Sequence, residues 1–329
     1  MSLYEAEGSL FCDKKGRPVA MPPALAPLAD THGHLTSFRK LDAASAVARA
    51  ALAGVRLLAV PVDPADDVPN VPDFLAWLQT VLRDAGRLLA GEAEHGVVPP
   101  AFAGFGDLPE LVDGVYVLAG VHPYGAQRFV EDPSVRERLL QLLDQPRCVG
   151  VGEFGLDYGP WNELDPDVQI RAFREQLRIA HERNLPVELH IRDANEDERC
   201  QAHRDALRVL REEGVPQAGC DLHCFTSGPE VMDWFVDLGC HIAFGGAATF
   251  ARSDDIREAA GRCPQELLLL ETDCPYMAPV PLRGRECEPA MVAFSAARVA
   301  KVREEAGVSS CEDTYAALWH NARSFFGLA

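Results

Sequence analysis

Asp30-Thr31-His32-Gly33-His34-Leu35 closes a short apolar run that begins at Leu28. Residues two apart in an extended segment point the same way, so His32 and His34 face one spot, and Gly33 lets the backbone approach closely. A lone His-x-His pair often arises by chance. Four further residues with ligand chemistry stand at or just past the ends of other apolar runs. Glu153 follows 148–152, His190 closes 187–190, His223 closes 221–223 and Asp273 follows 267–272. Ligands this far apart in sequence meet around one or two ions only if their strand ends converge, as they do on one face of a parallel barrel.

Outward from these runs the same pattern repeats. Candidate strands fall at 28–31, 55–60, 115–119, 148–152, 187–190, 221–223, 241–244 and 267–272, with helical periodicity between them. Alternation of this kind predicts parallel βα units, and eight strands close a barrel. The clearest helix is 167–184, where Phe173, Leu177 and Ala180 share a face. Asp165-Pro166 starts it, and Asn184 with Pro186 stops it. The expected fold is α/β: a single (β/α)8 TIM-like barrel over 28–329, with an N-terminal extension at 1–27 and a long insertion after the second strand at 61–113. The extension holds a turn at 13–16, and the insertion one amphipathic helix around 71–89. Connections that long commonly carry a lid or binding surface, with peripheral decoration as the bland alternative.

Composition narrows the function classes. The 329 residues carry a net charge of −19, so no general electrostatic attraction to nucleic acid exists. A polyanionic substrate would have to be held by metal ions and local arginines. No apolar stretch reaches membrane-span length, and residues 1–21 lack the basic-then-apolar layout of a signal peptide. Ten scattered cysteines with no Cys-x-x-Cys pair read as reduced thiols packed as small hydrophobes. The expectation is a soluble cytoplasmic protein.

The ligand types carry specific chemistry. Glu153, set between glycines, is placed to bridge two cations with its two oxygens. His190 and His223, at the ends of consecutive strands, share an ion more readily than either would alone. Asp273 both ligates and accepts a proton from the attacking water, which a nearby cation acidifies. Cys224, next to His223, is expected to point to the opposite face and pack there. No lysine occurs between Lys40 and Lys301, which excludes a carbamylated-lysine bridge and leaves that place to Glu153.

With these motifs assembled, the chain resembles the TatD family of metal-dependent deoxyribonucleases, among the amidohydrolase-like barrels. The resemblance runs from about Ala29 to the C-terminus. It rests on 30–35, Gly120-Val121-His122-Pro123, 152–158, 185–194 and 223–228. It also rests on Glu271-Thr272-Asp273-Cys274-Pro275-Tyr276, which continues through Arg283 to Glu288-Pro289. It implies metal ligation by His32, His34, Glu153, His190, His223 and Asp273, the same six that the strand ends single out. It further implies His122 near a substrate phosphate, with Arg192 and Arg283 as additional contacts. Segments 1–27 and 61–113 lie outside the resemblance, and Cys287 stands where an asparagine is expected before Glu288-Pro289.

The expected activity is hydrolysis of DNA phosphodiester bonds through one or two divalent ions (Zn, Mn, Ni or Mg), with Glu153 and Asp273 as the catalytic carboxylates. The alternative within enzymes is a hydrolase of a small metabolite (an amide, lactone or phosphoester), which the acidic balance favours. A partner-binding protein on a barrel scaffold is the reading from a different class. No membrane association is expected.

Overall fold

Short runs of apolar residues, buried along their length, build the strands. The computed structural model describes residues 3–6 and 8–328. A small antiparallel hairpin, β1 (Phe11–Cys12) with β2 (Pro18–Val19), precedes the barrel. The barrel strands are β3 (Leu28–Asp30), β4 (Val55–Val62), β5 (Val115–Ala119), β6 (Cys148–Asp157), β7 (Val187–Arg192), β8 (Cys220–Leu222), β9 (His241–Phe244) and β10 (Leu268–Leu270). Every neighbouring pair from β3 to β10 is parallel. The Thr31 amide donates to Leu270 O at 3.0 Å, and a parallel bridge joins Gly33 to Cys274, so the last strand meets the first. All eight strands lie where the apolar runs put them. The expected (β/α)8 TIM-like barrel is therefore the fold.

Helices surround the sheet: α1 (Ala43–Leu52), α2 (Val71–Glu94), α3 (Ala126–Glu131), α4 (Pro133–Leu143), α5 (Pro166–Arg183), α6 (Gln201–Glu213), α7 (Pro229–Val236), α8 (Asp254–Arg262), α9 (Val292–Glu305) and α10 (Cys311–Phe325). The caps of α5 are those its sequence signals. Asp165 Oδ1 accepts from the Asp167 amide at 2.9 Å, Pro166 takes the first turn, and Asn184 ends the helix in the left-handed region at φ 51°.

Strand β6 runs five residues past its expected end at Gly152. The glycines on either side of Glu153 let β6 lie close to β7. Gly155 has φ 148°, and a Cβ there would come within 2.1 Å of His190 O.

Segment 61–113 divides between the two ends of the barrel. Its helix α2 buries Phe74, Leu78, Val81 and Leu82 and packs against α1 in the outer ring. The chain after α2 passes the N-terminal end of β4, where Arg56 donates to Pro100 O at 2.6 Å and stacks on Phe102 at 5.8 Å. Among the described residues, only its beginning, from Pro61 to Asp67, reaches the cavity at the C-terminal strand ends.

The N-terminal residues are tied down by two arginines. Arg49 donates to Leu10 O at 2.6 Å and pairs with Glu288 at 2.6 Å, and Arg285 pairs with Glu5 at 2.6 Å. A separate apolar cluster of Ala29, Leu57, Ala59, Leu118, Ala243 and Leu269 joins Trp319, Phe325 and Phe326 at the end of α10. It anchors the C-terminal helix against the barrel strands. Among the described residues no helix is long and apolar enough to cross a membrane. All ten cysteines are free thiols.

Candidate metal centre

The strand ends bring His32, His34, Glu153, His190, His223 and Asp273 to one place. His32 Nε2 and His34 Nε2 lie 3.0 Å apart. Asp273 Oδ1 is 3.8 Å from the first and 3.7 Å from the second. On the other side, His190 Nδ1 and His223 Nε2 are 3.3 Å apart. Glu153 stands between the two sets and divides its oxygens. Its Oε1 faces His34 at 3.4 Å and His32 at 3.8 Å, while its Oε2 faces His223 at 3.0 Å and His190 at 3.1 Å. Among the described residues three groupings at this cavity, His32–Glu153–His223, His32–His34–Asp273 and His122–Asp157–His190, have the spacing to hold a divalent ion.

Electrostatics prepare these side chains. Burial pushes His32 well below the usual imidazole value, and the neighbouring His223 adds to this, so the ring is neutral. Burial alone would raise Glu153, but the pull of His223 and His122 outweighs it and holds the carboxylate well below its usual range. Burial would likewise depress His223, and Glu153 overrides it upward. The net result is carboxylate and imidazole groups crowded together without competing lysines, a charge pattern that cations relieve.

The fit to metal rests on the tautomer. Glu188 Oε1 lies 2.7 Å from His32 Nδ1, and a ring proton placed between them leaves the Nε2 lone pair facing His34 and Glu153. Asp157 Oδ2 sits 3.2 Å from His190 Nε2 and does the same for that ring, leaving Nδ1 toward Glu153. Glu271 Oε2 lies 3.7 Å from His223 Nδ1. A mixed imidazole and carboxylate set with buried acids behind it suits one or two divalent ions.

Sequence reasoning gave no role to the acids behind the rings, nor to Asp221, whose two buried oxygens have no hydrogen-bond partner. Glu188, Asp221 and Glu271 each precede a ligand by two residues and are fully buried. The signal was present as acid-x-ligand three times; Glu188 and His190 share a face within β7, whereas His223, Glu271 and Asp273 lie just past the ends of β8 and β10. Burial pushes Glu188 and Asp221 well above the usual carboxylate value and Glu271 up to about 7. Asp157 sat within a recognised motif without an assigned role.

Cys224 differs from expectation. β8 ends at Leu222, and Cys224 adopts φ 46°, which breaks the strand alternation and turns the residue toward the cavity. Its amide donates to Glu271 Oε1 at 2.7 Å.

The ligands open into a cavity of about 820 Å³. His122 and Arg192 line it, and Arg283 does not; that arginine is exposed and stacks on Phe250 at 4.1 Å. His122 packs edge-on against His190, ring centres 4.4 Å apart. Its Nδ1 accepts from the Tyr124 amide at 3.2 Å, which leaves the proton on Nε2. Burial pushes His122 down to about 3, so it offers a neutral hydrogen-bond donor rather than a positive charge.

Comparison with known proteins shows the family. The model of the family described as TatD related DNase matches residues 29–327. The chain belongs to the TatD-related DNase family. It is 38% identical over 258 residues to the uncharacterized metal-dependent hydrolase YcfH of Escherichia coli K12, covering 74% of this chain and 91% of that one. It is 35% identical over 218 residues to the 3'-5' ssDNA/RNA exonuclease TatD of Escherichia fergusonii, covering 64% of this chain and 77% of that one. Among solved structures, the TatD homolog YJJV of Escherichia coli K12 superposes with a TM-score of 0.66 at 25% identity, covering 93% of this chain and 100% of that one. The protein is thus a metal-dependent hydrolase with the TatD barrel.

Proposed function

We propose that this TatD-family hydrolase cleaves phosphodiester bonds in DNA. His32, His34, Glu153, His190, His223 and Asp273 hold one or two divalent ions in this reading. The observation that carries it is the split of Glu153, one oxygen toward His32 and His34 and the other toward His190 and His223. Ions bound there would supply a nucleophilic water at neutral pH and neutralise charge gathering on the phosphoryl oxygens. The chain's own residues do the rest. Asp273 takes the proton released by the attacking water. Arg192 suits bidentate contact with the non-bridging oxygens, and His122 donates its Nε2–H to the same group. Arg283 would serve only a more distant phosphate, given its place on Phe250. The free thiols accord with a reducing, cytoplasmic location.

One observation favours a small metabolite instead. Asp63, Asp66 and Asp67 stand at the cavity on a chain of net charge −19, which repels a polyanion. A substrate panel separates the two readings. Metal-loaded protein is offered a single-stranded oligonucleotide, a lactone and a dipeptide amide, from about 50 to about 200 mM salt. DNA cleavage whose KM rises with salt supports the nuclease. Turnover of the lactone or amide alone, insensitive to salt, replaces it.

A further inference from the structure

The chain has 15 phenylalanines, six tyrosines and four tryptophans. Among the described residues only three of these aromatics are exposed, Tyr124 at 43%, Tyr276 at 55% and Trp161 at 70%, and all three line the metal cavity. Aromatic residues left in water by packing alone would be scattered over the surface. Each of the three also leans on a residue of the site. Tyr124 packs edge-on against His122 at 4.5 Å and Tyr276 against His34 at 6.1 Å, while Trp161 stacks under the Arg192 guanidinium at 4.4 Å. The rings thus come from three separate loops, after β5, β6 and β10.

We propose that Trp161, Tyr124 and Tyr276 form a stacking rim that binds the unpaired bases flanking the scissile phosphate. This rests on the phosphodiesterase reading above and names the feature of the substrate that the site selects. A π-face accepts any base, so the rim grips a single strand without reading its sequence. Paired bases are stacked within the duplex and present no face to it. The rim also answers the charge problem. On a chain of net charge −19, with three aspartates at the cavity, stacking supplies affinity that does not depend on attracting phosphate from a distance.

The test compares an oligothymidylate with a strand of equal length whose central nucleotides are abasic, using metal-loaded wild type, Trp161→Ala and Trp161→Phe. Trp161 is exposed, so its truncation does not threaten folding. The expected result is a rise in KM on the order of ten-fold to a hundred-fold for the oligothymidylate in Trp161→Ala. Its kcat stays unchanged, Trp161→Phe recovers most of the loss, and the abasic strand is cleaved equally by all three. Equal loss on both strands would assign Trp161 to holding Arg192 and overturn the rim. A wild type that cleaves both strands alike, with Trp161→Ala altering neither, also overturns it and leaves the phosphodiesterase reading standing. A wild type that cleaves neither strand overturns both.

Discussion

Glu188 lies fully buried and out of reach of any substrate, yet it decides which nitrogen of His32 is free. With its carboxylate removed, the His32 proton is no longer held on Nδ1 and the ring turns more freely. Glu188→Ala should weaken metal affinity by roughly 10- to 100-fold, measured by chelator competition. Unchanged affinity would show that the carboxylate only fills space. The ligands themselves were legible because histidines and carboxylates at strand ends break an apolar pattern. Glu188, Asp221 and Glu271 were not, because an acid inside a strand reads as the polar half of ordinary alternation. Only the closed barrel turns that polar face inward and shows that no water reaches it. Cys224 was misread for a related reason: alternation holds only while the strand lasts, and β8 stops at Leu222.

At the scale of elements, the strands were legible as apolar runs and α5 through its caps, since both signals are local. The partners of an element are not local. The periodicity of α2 shows one apolar face but not what covers it, and the structure seats that face in the helical ring against α1. Phe74→Ala should therefore cost about 3–5 kcal/mol of stability by denaturant titration while leaving kcat unchanged. A lid would give the reverse, a loss of turnover at full stability. What this segment contributes to the cavity is its beginning, Pro61 and Val62 at the end of β4 followed by Asp63, Asp66 and Asp67. Burial pushes Asp63 up to about 7, while its Oδ1 accepts from the Ala65 amide at 2.6 Å and its Oδ2 from the His122 amide at 3.1 Å.

Over the whole molecule, the barrel separates stability from chemistry. The cluster that anchors α10 and the chain after α2 pack the strands away from the ligand face, and the C-terminal strand ends collect the ligands, the cavity and the exposed aromatics. Net charge was the sequence property most at odds with a nucleic-acid substrate. It counts all surface carboxylates, but a reaction responds to the few groups within about a Debye length of the bond being broken. There Glu153 and Asp273 are carboxylates that would hold cations in the proposed reading, so their acidity is a requirement of the site rather than an obstacle. The central claim is that Glu153 joins two sets of ligands into one phosphodiester-cleaving centre. End-labelled single-stranded DNA, incubated with wild type and Glu153→Ala in the presence of Mg, Mn or Zn, tests it most directly. The account predicts labelled product from the wild type that a chelator abolishes, and a loss of at least a hundred-fold in the variant, as removal of a group acting on the reacting atoms should give (about 3 kcal/mol in the barrier). Cleavage by Glu153→Ala at the wild-type rate, or a metal-loaded wild type that leaves the strand intact, would contradict it.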